Sequence, residues 1–417
     1  MRVSDPPVPT PAHVVLEDRV IGRVGPLDRG PIVVAVAGIH GNEPAGVRAL
    51  ERVHRHLQTV QSDLQGEVVC LRGNLRGLWA KRRFLERDLN RMWTEERVRR
   101  LEEAHDRGGT LPAGDELARD RAEWKELREL HAELAPYLRR ASRERPLHLL
   151  DLHTASAASV PFGLIGDTLR NRGFVRGLAI PILLGLEERL EGSLLEAIGG
   201  RGHLTLGVEG GQHDDPAAID CIESAVWVAL ENANVLDSGE ESRRKVARSR
   251  RYLTTIAHDQ PGLLEVRYRH GLRSGDGFAM HPGYTNFARV ERGQPLGRDV
   301  RGEVNSPQDA RILLPLYQGL GDDGFFLGRP ISWHQDALLL LARRIGLDRF
   351  LGLWPGLHRV RDGRAVGFAD HEVLVAEPGV DSFLRDELLP SLGYRRARRQ
   401  DGRWWFARRP EWPREDR

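Results

Sequence analysis

Four short runs hold residue types that hydrolytic chemistry needs. In "VVAVAGIHGNEPAG", residues 33 to 46, small apolar residues run straight into His40 and, three positions later, Glu43. A buried strand ordinarily leaves the core through a turn without a titratable pair. Zinc accepts histidine nitrogen and carboxylate oxygen, and a catalytic zinc takes three protein ligands while a fourth position stays open for water. His40 and Glu43 would supply two ligands from one strand-to-helix turn, with Gly41 letting the backbone bend. "LLDLHT" offers His153 as a third, from the end of another strand. This differs from the helical His-Glu-x-x-His arrangement, in which both histidines share one helix face. Each residue also has a plain structural reading: a hydrogen-bonded strand-end histidine, a glutamate suited to a helix N-terminus, and, at Asp151, an ordinary strand-end acid.

A hydrolytic metal site also needs a base to take a proton from water and hand it to the leaving group. Glu209 in "TLGVEGG" ends an apolar run where such a base is expected, and two glycines follow it. The run "KRRFLERDLNRMW", residues 81 to 93, is dense in arginine. One guanidinium there would polarise a scissile carbonyl and stabilise the developing oxyanion, a role that suits Arg83. Another would grip a substrate carboxylate in a bidentate fork, a role that suits Arg91 with Asn90 beside it.

The elements that must position these groups follow from periodicity. "PIVVAVAGI", "GEVVCLRG", "PLHLLDLHTA" and "HLTLGVEGG" read as strands, and "PAGVRALERVHRHL" as an amphipathic helix with Val47, Leu50, Val53 and Leu57 on one face. Strand, helix and strand in that order predict βαβ units, hence an α/β fold with a mostly parallel sheet flanked by helices. Functional groups then gather at the carboxyl ends of strands. Residues 92–146 read as a charged αα-hairpin inserted in a catalytic domain over 1–240, with solvated outer faces and no chemistry assigned. "DSGEESRRKVARSRR" reads as a charged linker, residues 250–332 as a small β-domain, and 333–417 as a C-terminal α/β appendage of unassigned role. That appendage ends in "YRRARRQDGRWWFARR", where Asp401-Gly402 signals a hairpin turn. The hairpin accounts for this basic, tryptophan-bearing run better than a nucleic-acid patch does.

Composition narrows the function classes. The chain has 417 residues, 40% hydrophobic and 29% charged, with a formal net charge of +2, which gives no reason to expect a nucleic-acid or membrane partner. Nothing at the N-terminus resembles a signal peptide, and no segment approaches about 20 apolar residues. Both cysteines, Cys70 and Cys221, sit in apolar runs and read as unpaired core residues, so the expected compartment is the cytoplasm.

Taken in order, His40-Gly41-Asn42-Glu43, "RGN" at 72–74, Arg83-Phe84, Asp88-Leu89-Asn90-Arg91, Asp151-Leu152-His153-Thr154 and Glu209 resemble the succinylglutamate desuccinylase/aspartoacylase family, a branch of the zinc carboxypeptidase-like fold. The resemblance covers roughly residues 30 to 240 and extends more loosely to about 330. It implies one zinc held by His40, Glu43 and His153, with Glu209 as general base and acid. It implies Arg83 at the carbonyl, Asn90 and Arg91 at the substrate's α-carboxylate, and Asp88 orienting their loop. The implied activity is release of an acyl group from an N-acyl amino acid or analogue, by attack of zinc-bound water on the amide carbonyl. A zinc carboxypeptidase, an ester hydrolase and a non-catalytic metal-binding protein stay open as alternatives, and homo-oligomerisation is left open. Tyr284 and Tyr317 are candidates for a site tyrosine from the β-domain. The Gly-Gly-Gln-His that follows Glu209 departs from the Glu-x-Gly-Pro type of turn, which leaves the acyl group unassigned.

Overall fold

A computed structural model of the protein describes residues 16–108, 111–112, 114–237, 239–273, 275–317, 321–360 and 371–413. Most of the proline-containing lead-in and part of the "GGTLPAG" connector lie outside the described residues. Strand β1 (Val20–Val24) is followed by β2 (Ile32–Ala37), helix α1 (Ala45–Thr59), β3 (Glu67–Arg72) and the short helix α2 (Leu75–Ala80). The charged helices α3 (Glu95–Asp106) and α4 (Ala122–Arg140) precede β4 (Leu147–Ala155). Next come β5 (Phe162–Ile165), α5 (Leu169–Phe174), β6 (Ile182–Leu184), α6 (Leu194–Gly199), β7 (Leu204–Gln212), α7 (Ala217–Asn232) and α8 (Glu240–Ala257). Seven strands follow: β8 (Leu263–Gly271), β9 (Ala279–Met280), β10 (Arg289–Val290), β11 (Pro295–Asp299), β12 (Gly302–Asn305), β13 (Ala310–Leu313) and β14 (Asp323–Pro330). The last part holds α9 (Trp333–Arg344), β15 (Leu357–Val360), β16 (Glu372–Ala376), β17 (Arg396–Gln400) and β18 (Arg403–Arg408).

Two compact units interleave along the chain. The first runs to Thr154 and adds Leu190–Ala197 and Gly207–Thr255; the second comprises Ala155–Arg189, Ile198–Leu206 and Ile256–Arg417. In the first unit the strands lie in the order β1-β3-β2-β4-β7. All six residues of β2 are buried, as a parallel strand covered on both faces requires. It pairs in parallel with β3 from Ile32↔Glu67 to Ala37↔Arg72, and with β4 from Ile32↔Leu147 to Ala37↔Leu152. That register has a consequence for chemistry: the turn leaving β2 at Ala37 emerges level with His153, one residue past Leu152. Helix α1 buries Val47, Leu50, Val53 and Leu57, the stripe expected from its spacing.

In the second unit the strands run β5-β6-β8-β14-β13-β10, parallel from β5 to β8 and antiparallel beyond. Strands β12, β11 and β9 form a separate sheet of three. Strands β15, β16, β18 and β17 make an antiparallel sheet over a small core that includes Leu357, Leu374, Leu389, Tyr394 and Phe406. Its last hairpin turns at Asp401 and Gly402, both with positive φ (51° and 76°), as an Asp-Gly hairpin turn requires. Arginines of its basic run are held within the unit: Arg395 by Asp167 and Glu265, Arg403 by Glu377, and Arg408 by Asp348 and Glu372.

Two readings of charged stretches need correction. The run read as a linker is most of helix α8, whose sparse buried stripe includes Val246, Leu253 and Ala257. The inserted hairpin is not merely solvated, because α4 buries Glu123 and Glu126 along with Leu127, Leu130 and Leu134. Among the described residues no helix is long and apolar enough to cross a membrane.

Candidate metal centre and active site

The turn out of β2 is forced close to its neighbours. A Cβ on Gly41 would stand 1.9 Å from the backbone carbon of Gly77, so only glycine lets the turn lie against α2. The Gly41 N–H donates to the Arg83 carbonyl at 3.2 Å, which ties this turn to the arginine-rich loop. Glu43 precedes α1 but does not serve it as a cap. Its carboxylate is buried and shared between two imidazoles, Oε1 lying 2.9 Å from His40 Nδ1 and Oε2 3.1 Å from His153 Nδ1. Oε2 also accepts the backbone N–H of Thr154 at 3.0 Å.

Each imidazole is backed by a second carboxylate. His40 Nε2 stands 3.2 Å from Asp88 Oδ1, and His153 Nε2 stands 3.0 Å from Asp151 Oδ1. A carboxylate behind a histidine fixes the ring's orientation and raises its basicity, the arrangement that metal-binding histidines adopt. One ligand atom from each of His40, Glu43 and His153 lies within 4.8 Å of the other two. Asp88, expected to orient its loop, and Asp151, which reads as an ordinary strand-end acid, are therefore the outer partners of the cluster.

Asp88 also organises its own loop. It caps the one-turn 3-10 helix Leu89–Arg91 by accepting the Asn90 N–H at 2.9 Å on Oδ1, and it takes Arg83 Nη2 at 3.0 Å on Oδ2. Arg83 Nη1 lies 3.6 Å from Glu43 Oε1, so this guanidinium stands beside the cluster. Asn90 is partly committed, since its Oδ1 accepts the Leu194 N–H at 2.9 Å. Arg91 donates from Nη1 to the Asn90 carbonyl at 2.9 Å.

Electrostatics follow from the packing. Burial pushes the Glu43 carboxyl up, but the charges and hydrogen bonds of His40 and His153 prevail and hold it well below the usual carboxylate range. Burial alone would depress His153, yet Asp151 and Glu43 raise it well above an ordinary imidazole. Asp88 is pulled well below its usual value by His40, Arg83 and Arg91 against the effect of burial. Glu209 behaves oppositely: burial and the nearby Glu43 charge push its carboxyl up to about 7, against the opposing pull of His153, His40 and Arg83. Its Oε2 is buried without a hydrogen-bond partner.

This donor set fits a divalent cation. Glu43, Asp88, Asp151 and Glu209 bring four carboxyls together, with Arg83 and Arg91 as nearby permanent cations. The Nδ1 atoms of both imidazoles turn to the Glu43 carboxylate, so a cation between two nitrogens and a carboxylate would sit where the donors already converge.

Of the residues expected from sequence, the structure gathers His40, Glu43, His153, Arg83 and Glu209 in one place and puts Asn90 and Arg91 on the adjoining loop. It adds Thr154, whose backbone serves Glu43 and whose Oγ1 lies 2.8 Å from His213 Nδ1. His213 belongs to the Gly-Gly-Gln-His departure, and nothing in its spacing marks it as a partner of the residue after His153. The hydroxyls of Tyr284 and Tyr317 are engaged within the second unit, with Pro295 O and with the carbonyls of His281 and Tyr284.

Residues 29–172 match the family model described as the succinylglutamate desuccinylase/aspartoacylase catalytic domain. Over 136 residues the chain is 33% identical to a succinylglutamate desuccinylase of Pseudomonas paraeruginosa (strain DSM 24068 / PA7). That stretch is 33% of this chain and spans about a third (35%) of the relative's length. Among solved structures, a succinylglutamate desuccinylase/aspartoacylase from Rhodobacter sphaeroides superposes with a TM-score of 0.51 at 17% identity, covering 74% of this chain and 88% of that one. A succinylglutamate desuccinylase from Vibrio parahaemolyticus gives 0.52 at 14% identity, covering 74% and 84%. At these identities the two structures speak for a shared fold.

Proposed function

We propose, from the match of residues 29–172 to the succinylglutamate desuccinylase/aspartoacylase catalytic domain, that the chain is a zinc-dependent hydrolase removing an acyl group from an N-acyl amino acid or analogue. The observation that carries this reading is the buried His40, Glu43 and His153 group with the Glu209 carboxyl, pushed up to about 7, beside it. Two imidazoles and one carboxylate suit zinc, on a scaffold we read as carboxypeptidase-like. When bound there, zinc supplies a Lewis acid that polarises the amide carbonyl and lowers the pKa of water.

The protein's own groups do the rest. Glu209 accepts a proton from the attacking water and returns it to the departing nitrogen, a task for which a pKa near the working pH is favourable. Arg83, steadied by Asp88, donates to the oxyanion as it develops. Arg91 and the Asn90 NH2 group hold the substrate's α-carboxylate, which places the amide for attack. Asp88 and Asp151 keep the two imidazoles oriented. The substrate is a small molecule, and the two unpaired buried cysteines agree with work in the cytoplasm.

The names of the relatives set the first acyl donors to try: N-succinylglutamate and N-acylaspartates. The test is metal depletion. Chelator-stripped protein should release no amine from its substrate, and stoichiometric zinc should restore release. Undiminished turnover by protein shown to be metal-free would overturn the proposal.

A further inference from the structure

We infer that Glu123, on the inserted helix α4, is a positioning residue for this reaction: it fixes the turn at Leu85–Arg87 and thereby the placement of Arg83, Asp88, Asn90 and Arg91. The inference rests on the hydrolase reading above and deepens it. Glu123 is buried, 1% exposed, at the start of a helix that sequence reading treats as a solvated insertion. Its Oε1 accepts the Leu85 N–H at 2.7 Å, and its Oε2 accepts those of Glu86 at 3.0 Å and Arg87 at 3.3 Å. A fourth contact, from Asn74 Nδ2 to Oε1 at 3.5 Å, joins the segment after β3 to the same carboxylate. The neighbouring Trp124 lies under the Arg87 guanidinium, 5.9 Å from its ring centroid.

Three consecutive backbone N–H groups aimed at one carboxylate make an anion nest in which the side chain of another helix is the anion. Such charge-assisted bonds are among the stronger ones available to a loop. The nest sits between Arg83 and Asp88, two residues beyond the one and one residue short of the other. Any rotation of the turn therefore moves Arg83 away from Glu43 and Asp88 away from His40. The inserted hairpin is thus part of what shapes the substrate side of the site.

The experiment compares full-length, zinc-loaded wild type with Glu123→Ala and with Glu123→Gln, which keeps the shape but can accept on one atom only. Each is assayed on an N-acyl amino acid and on its α-methyl ester. Displacing the loop should raise KM for the free acid by about 10- to 100-fold, the scale of misplacement effects in active sites. KM for the ester should change far less, kcat should fall on both substrates as Arg83 leaves the carbonyl, and Glu123→Gln should fall between wild type and Glu123→Ala. A loss of folded protein would instead lower kcat equally on both substrates with KM unmoved, and that result would overturn the inference. If wild type turns over neither substrate, the hydrolase reading fails by itself, and amide hydrogen exchange still decides the positioning claim. Faster exchange at Leu85, Glu86 and Arg87 in Glu123→Ala, with the amides of β2 unchanged, upholds it; unchanged exchange there refutes it.

Discussion

His40 and His153 face Glu43 through Nδ1 and an aspartate through Nε2, so each ring is held at both nitrogens. With no cation bound, Asp151 and Glu43 hold His153 well above the ordinary imidazole range, which favours a proton on its ring. Zinc must displace that proton, because only the neutral ring binds metal. Zinc binding at pH 7 is therefore expected to release protons, which titration calorimetry in buffers of different ionisation enthalpy will show. Equal heats in all buffers would contradict it. His153→Ala should bind no stoichiometric zinc, and a fully metallated variant would remove His153 from the ligand set. Arg91→Ala is expected to weaken substrates with a free α-carboxylate by about 10-fold or more, the size of one lost charge-assisted hydrogen bond, and to spare their methyl esters. For Glu209 the sign follows from its role as base. Its carboxyl must be ionised to accept a proton, so kcat/KM falls as pH drops through its pKa. A bound cation moves that pKa below about 7, so the acid limb for the zinc form should lie below 7. An acid limb above 7 would contradict the assignment.

Strands, helices and turns bring these residues together, and much of that layer is legible in the sequence. Continuous apolar runs mark β2 and β4, and parallel pairing in register puts His40 and His153 at the same end of the sheet. What hid from pattern reading was buried charge. Glu123 and Glu126 lie three apart on α4, on the face that also holds Leu127 and Leu130, but charge in a helix normally signals exposure. Helix α8 escaped for a related reason: its apolar stripe is thin among arginines and glutamates. The partnership of Thr154 with His213 spans 59 residues and has no local signature. Glu126 gives the stability test at this scale. It is wholly buried between Arg19 and Arg76 and accepts the N–H groups of Leu75 and Arg76. Glu126→Ala leaves the Leu75 and Arg76 amides without their acceptor, while both guanidiniums keep Glu129, so a loss of about 1–3 kcal/mol is expected by urea unfolding. A change under about 0.5 kcal/mol would show that this cluster does not hold α4 in place.

At the scale of the whole molecule, the C-terminal appendage is built into the second unit by buried ion pairs rather than tethered to it. Asp167, after β5, meets Arg172, Arg343 of α9 and Arg395 near β17, all with nearly buried side chains. Burial pushes the Asp167 carboxyl up, but the three arginines hold it well below the usual range. Its contribution is therefore fully present above its unfolded value near 4 and is lost as pH falls below that toward the depressed folded value. Asp167→Asn should unfold at lower urea at pH 7 and lose part of the wild type's sensitivity to acid below about pH 4. Identical acid profiles would mean that the appendage is held by its apolar core alone. The central claim, that one buried metal group and one carboxylate make this chain a deacylase, has a more direct test. Amine release is measured from a panel of N-acyl amino acids with wild type and Glu209→Gln at matched zinc content. The account predicts release by the wild type and a loss of roughly 100-fold or more in the variant, the scale of a missing general base. Equal turnover by the two, or silence of zinc-loaded wild type across the panel, would contradict it.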